Sequence, residues 1–282
     1  MRQYAPLLLL LPWTLDVRAQ SAAASADSQA LVQRALAGEL QAAQDESHPM
    51  RYRLRKTSPR LTSTKLLIET KDGLVARLVS INDQPLSPAD EKNEQDRLDG
   101  LLSDPGKQKH RKQSEDADAE RALKVLRVLP RAFLYEPAAD AAAAGDGSVC
   151  FHFKPNPAFD APDLETQVLS AMSGEIWIDP AQARVLRLEG RLERDVDFGW
   201  GILGKLEKGG SISIEQTDTG GGQWRIAHFR MKMAGRVFFK TKVFDTTEDE
   251  SDFAPVPAGL DYARAIEMLR AADKPAVQGA QP

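Results

Sequence analysis

The chain has 282 residues, of which 42% are hydrophobic and 28% charged, with a formal net charge of −4. That length can bury a substantial core without covalent staples, and the single cysteine, Cys150, excludes an intramolecular disulfide. The mild acidity gives the chain as a whole no attraction for nucleic acid.

Residues 1–19 read as a cleavable secretory signal peptide. Arg2 supplies positive charge, Leu7 to Leu11 begin an apolar run, and Val17-Arg18-Ala19 closes it before Gln20. The run falls short of the ~20 apolar residues needed to span a bilayer, so no transmembrane segment is expected in the mature protein. No cysteine lies near the cleavage site to carry a lipid. The expected location is the periplasm, with residues 20–272 as one domain and 273–282 as a disordered tail.

A helix is predicted from Ser28 to Asp45, with Leu31, Val32, Ala35, Leu36 and Leu40 on one face. The period then changes from 3.6 to 2. Met50, Tyr52 and Leu54 alternate with Arg51, Arg53 and Arg55, the pattern of a half-buried strand. Strands over Leu61–Thr70 and Leu74–Ile81 follow, joined by a turn at Lys71-Asp72-Gly73. Ser87-Pro88 signals a helix start, running to about Leu102. Lys107 to Lys112 is a basic run, read as a solvated loop balanced by Glu115, Asp116 and Asp118. A second helix is predicted over Asp116–Leu129, stopping at Pro130.

Beyond Phe133 the chain is mostly strand. Val149, Phe151 and Phe153 alternate with Cys150, His152 and Lys154. A short helix over Leu164–Met172 precedes strands at Gly174–Asp179, Arg184–Arg194, Ser211–Gln216, Gln223–Met233 and Arg236–Phe244. Turns at Asp179-Pro180, Asp218 to Gly222 and Ala234-Gly235 join neighbours as hairpins, which means antiparallel pairing. A last helix is expected over Leu260–Ala272.

Gly199-Trp200-Gly201-Ile202-Leu203-Gly204 matches the glycine fingerprint of dinucleotide sites, but it leads into another strand and not into a helix whose N-terminus could face a pyrophosphate. The same stretch sets large apolar residues among glycines between two strands, where polar residues are the rule. It is read either as tucked under the sheet within the core or as a lid or rim over an apolar cavity. The four histidines have no metal-ligand spacing, so neither a metal nor a cofactor is predicted, and no catalytic residue is assigned. Glu193, Asp195 and Asp197 share one strand face, which leaves a carboxylate-based hydrolase as the weakest alternative.

The order of helix, strands, two inserted helices and further antiparallel strands resembles the outer-membrane lipoprotein carrier (LolA/LolB-like) superfamily. Gly174-Glu175-Ile176-Trp177-Ile178-Asp179, the turn after it and Val185-Leu186-Arg187-Leu188-Glu189-Gly190 carry the likeness. The chain is also similar to an uncharacterised family of exported bacterial proteins through Phe153 to Pro157, Asp195 to Gly204, Lys208-Gly209-Gly210 and Phe239-Lys240. The resemblance implies an α+β fold, mainly β: a curved antiparallel sheet (half-barrel) with helices covering the concave face. It implies a non-catalytic protein that binds or carries a lipid acyl chain or other apolar small molecule. Trp177, Phe198, Trp200, Ile202, Leu203 and Trp224 are the candidate ligand-binding wall and lid. The alternative is an envelope protein partner docked by the Phe198–Leu203 loop.

Overall fold

The structure, a computed structural model, describes residues 16–138, 147–198, 204–237 and 240–272, with side chains described from residue 27 onward. The expected signal-peptide core, the loop around residues 139–146 and the tail from 273 lie outside the described residues. Helix α1 (Asp16–Ala43) leads into the hairpins β1 (Met50–Thr57), β2 (Thr62–Thr70), β3 (Gly73–Ile81) and β4 (Gln84–Pro85). Two helices follow, α2 (Pro88–Ser103) and α3 (Pro105–Ala132), and then β5 (Phe133–Pro137), β6 (Val149–Pro155) and α4 (Leu164–Leu169). The rest comprises β7 (Met172–Asp179), β8 (Arg184–Leu192), β9 (Val196–Phe198), β10 (Gly204–Leu206), β11 (Ser211–Asp218), β12 (Trp224–Val237), β13 (Lys240–Pro255) and α5 (Tyr262–Ala271).

All strands join one antiparallel sheet in the order β4-β3-β2-β1-β13-β12-β11-β8-β7-β6-β5, open at both edges, with β9 and β10 attached to β12. The protein is therefore α+β and mainly strand, as the alternating patterns and short turns require. One face holds the larger core. Phe151, Ile176 and Ile178 lie 1% exposed or less on that face, beneath Val32, Ala35 and Leu36 of α1 and Leu129 of α3. Gly174 and Gly190 face each other across β7 and β8, and a side chain on Gly174 would overlap the Glu189 carbonyl and the Phe153 ring. Those glycines leave room for the tip of the Phe153 ring.

Glu39 clamps α1 to this face. Its carboxylate accepts two bonds from Arg184, at 2.9 and 3.0 Å, and one each from the Val185 amide and Gln216 Nε2, both 3.0 Å. Such a bidentate, mostly buried pair holds one geometry.

A second core lies on the opposite face, at the other end of the sheet. Ile68 of β2 and Val75 of β3 pack there against Leu98 and Leu101 of α2 and Ala265, Ile266 and Leu269 of α5. Arg77, buried on the same face, donates to the Leu269 carbonyl at the end of α5 and to Glu91 of α2, both 2.9 Å. It thereby satisfies one of the orphan carbonyls of the helix terminus.

Three local expectations change. The basic run Lys107–Lys112 is helical, not a loop, because Asp104 both ends α2 and caps α3: its side chain accepts from the Lys107 amide, and Pro105 follows at the first helical position. Arg111–Glu115 and Lys112–Asp116 then pair one turn apart. Helix α3 also continues past Pro130 to Ala132. The Tyr135 hydroxyl bonds the Leu129 carbonyl and the Asn156 side chain bonds that of Arg131, so strand and loop groups satisfy the last turn. The turn expected at Ala234-Gly235 is strand, since β12 runs on to Val237 and β13 from Lys240 to Pro255.

Candidate functional site

Of the six predicted wall residues, the structure describes Trp177, Phe198 and Trp224, and these three have different surroundings. Trp177 does not face the larger core. It alternates with Ile176 and Ile178, so it sits on the opposite face of β7, half-buried beneath the guanidinium of Arg187 at 5.0 Å from the ring centre. Trp224, at the start of β12, donates its indole N–H to Gln182 at 3.2 Å. Phe198 packs against the larger core as part of β9. Trp200, Ile202 and Leu203 lie outside the described residues. The stretch read as a loop is a hairpin on both flanks, where Val196–Phe198 pairs with Gly204–Leu206.

Two of the three carboxylates have partners of their own. Asp195 accepts from the Lys208 amide at 2.7 Å and bonds Lys205 Nζ at 2.5 Å, and these two partners lower its pKa. Glu193 accepts from the Ser173 hydroxyl. Cys150 is a buried thiol pushed up to about 11, chiefly by desolvation, and so is a poor nucleophile. Among the described residues no cluster of His, Cys, Asp and Glu could hold a metal ion.

The strongest site lies elsewhere on the face of the larger core, over β1 and β11–β13. The strand registers bring Leu54 opposite Glu250, Glu248 opposite Phe229, and Phe229 opposite Ile214. These apolar side chains are half-buried, and neither core covers Leu54, Phe229 or Ile214. A β-bulge opposite Tyr52, with Asp252 at φ +57°, turns Phe253 over so that the two rings stack at 5.6 Å.

Polar groups ring this floor. Arg225 donates to the His48 carbonyl at 2.8 Å and pairs with Glu69 at 3.3 Å, and Glu69 also accepts from the Met50 amide. Lys56 holds Glu248 at 2.6 Å. Among the described residues Glu250 has no such cation of its own. Burial, and after it the charges of Glu248 and Glu69, raise it to about 7, against the opposing effect of Arg225. The Tyr52 phenol is raised as well, first by burial and then by Glu250, so it stays neutral at physiological pH.

Sequence reasoning missed this site because the last strand expected, Arg236–Phe244, stops short of Asp245–Asp252, which β13 includes. Its signal was complementarity: the basic strand Arg51–Lys56 needs an acidic neighbour, and β13 supplies it through Lys56–Glu248, Arg55–Asp249 and Arg53–Asp252.

Three grooves open elsewhere. One of about 670 Å³ lies between α3 and the 156–166 segment, and one of about 390 Å³ between α2 and the start of α3. The third, about 630 Å³ on the outer face, is lined by charged and polar groups including His152, Glu175, Glu189, Arg191 and Arg230. Trp177, Phe198 and Trp224 line none of these three grooves. No family model, curated protein or solved structure matches this chain.

Proposed function

We propose that the protein binds or carries an apolar or amphipathic small molecule on the uncovered inner face over β1 and β11–β13, and that it does not transform its ligand. The supporting observation is the row Leu54, Phe229 and Ile214 beside the stacked Tyr52–Phe253 pair, half-buried yet outside both cores. Apolar lining with a few fixed polar groups is what small-molecule sites use, and Arg225 and Glu250 are those groups here. A lipid acyl chain fits the floor, and the carrier-like order of elements supports that choice. The signal-peptide pattern of residues 1–19 supports a periplasmic setting.

Uptake of a fluorescent fatty-acid analogue, with native mass spectrometry of the purified protein, tests the reading. Phe229→Ser should weaken uptake at least ~10-fold, since truncating one buried aromatic removes that much apolar contact. Trp177→Ala, on the other face, should leave uptake unchanged. A wild-type protein that takes up no analogue, or a Phe229→Ser variant that binds as well as wild type, removes the proposal.

A further inference from the structure

The β12–β13 hairpin outruns β1 and β11, and beyond Lys232 its β12 strand is flanked by the short β10, from Gly235 to Val237. β1 pairs with β13 only from Thr247 onward, and β11 leaves β12 at Lys232, so Lys240–Thr246 is bonded to β12 alone. Seven residues at strand rise project roughly 24 Å past the last β1 contact. Val243 and Phe244 are 60% and 45% exposed on this stretch, and Leu61, at 45%, lies in the β1–β2 turn at the same end of the sheet. These are half of the six large hydrophobic residues most exposed among the described ones. Cations surround them. Arg60, Arg236, Lys240 and Lys242 are all exposed, and among the described residues none forms an ion pair. From Arg230 to Thr246 the chain carries five cations and one acid, Asp245.

We propose that this end of the sheet docks onto an anionic lipid bilayer, with Val243, Phe244 and Leu61 entering the headgroup layer and the four cations meeting lipid phosphates. Two features favour a bilayer over a protein or a nucleic acid. Val243 and Phe244 are consecutive in a strand and point to opposite faces, so one rigid partner surface cannot cover both, whereas a fluid layer surrounds them. The apolar residues at the tip are aliphatic as well as aromatic, which suits acyl chains and not base stacking. Among the described residues no helix is long and apolar enough to cross a membrane, so the contact is a surface one.

Sedimentation of the full chain with vesicles tests this. Vesicles of phosphatidylcholine with about one-third phosphatidylglycerol should pull the protein down at low salt, pure phosphatidylcholine vesicles far less, and 0.5 M salt should release it. Lys240→Gln with Lys242→Gln should weaken vesicle binding roughly 25-fold, at about fivefold for each lost cation. Val243→Ser with Phe244→Ser should also reduce binding, now at any salt. Both double variants should keep fatty-acid uptake, which separates this surface from the inner-face site. Equal binding to neutral and anionic vesicles, insensitivity to salt, or unchanged binding by the lysine variant would overturn the proposal.

Discussion

At the β5–β8 end the sheet buries Phe151, Ile176 and Ile178 beneath α1 and α3, whereas at β2 and β3 it buries Ile68 and Val75 beneath α2 and α5 on its other face. The strand registers carry the face of Ile68 through Arg51, Ala254 and Ser251 to Asp249, His228, Glu215, Arg187 and Trp177, away from the larger core. A single sheet thus changes its buried face along its width. Between them, Leu54 of β1, Phe229 of β12 and Ile214 of β11 lie outside both cores, and both functional proposals fall on these strands. What a helix layer leaves bare is where a sheet of this kind can bind something.

Truncating one large side chain in each core tests whether the two ends fold as one unit. Phe151→Ala should cost about 4 kcal/mol and Ile266→Ala about 3 kcal/mol, the usual toll for emptying a buried site. Urea titration should show both variants shifting one cooperative transition. Two separate transitions would split the ends into independent units.

Glu39 belongs to the larger-core end alone. Glu39→Ala strands Arg184, which is 13% exposed, and should cost about 3 kcal/mol in the same titration. The exposed Lys92–Asp96 pair at the other end should cost less than 1 kcal/mol when broken.

Glu250, between the ends, makes the comparison depend on pH. Its folded pKa of about 7 lies above the ordinary carboxyl value of 4.5, so the folded state holds the proton more tightly. Stability from this group is therefore present below about pH 4.5 and is lost as pH rises towards 7. Glu250→Gln should remove that slope and stabilise the protein at pH 8 by on the order of 2 kcal/mol, allowing for solvent at a half-buried site. Denaturation midpoints at pH 5 and pH 8 measure it, and a variant with the wild-type slope would show that the carboxyl is not held in this way.

The smallest effect belongs to the projecting hairpin. Val243→Ser with Phe244→Ser should change the thermal midpoint by no more than about 0.5 kcal/mol implies, because neither side chain is buried. A larger loss would mean that these two side chains pack against the body of the protein.

Much of the fold was legible in local pattern. Ser87-Pro88 started α2 as expected, and the alternation of Met50 to Arg55 marked β1. Asp104-Pro105 carries the same cap-and-proline signal as Ser87-Pro88, yet the charge of Lys107–Lys112 masked it. The candidate site was hardly legible. Tyr52 and Leu54 were placed on one face of a strand, but Glu248, Glu250 and Phe253 come from a stretch whose acidic composition argues against a strand. Trp177 was assigned to a cavity wall, although its neighbours Ile176 and Ile178 are the residues that face the core.

The sequence by itself determined the strand and helix periods, the caps and the hairpin turns, because each depends on residues within a few positions of one another. Tertiary structure alone decided which face each strand buries and what β1 pairs with. Arg53 meets Asp252 across 199 positions of chain, and no local pattern encodes a partner so far away. The side of the sheet on which a tryptophan or a glutamate lies follows from that long-range register, since a shift of one residue moves every side chain to the other face.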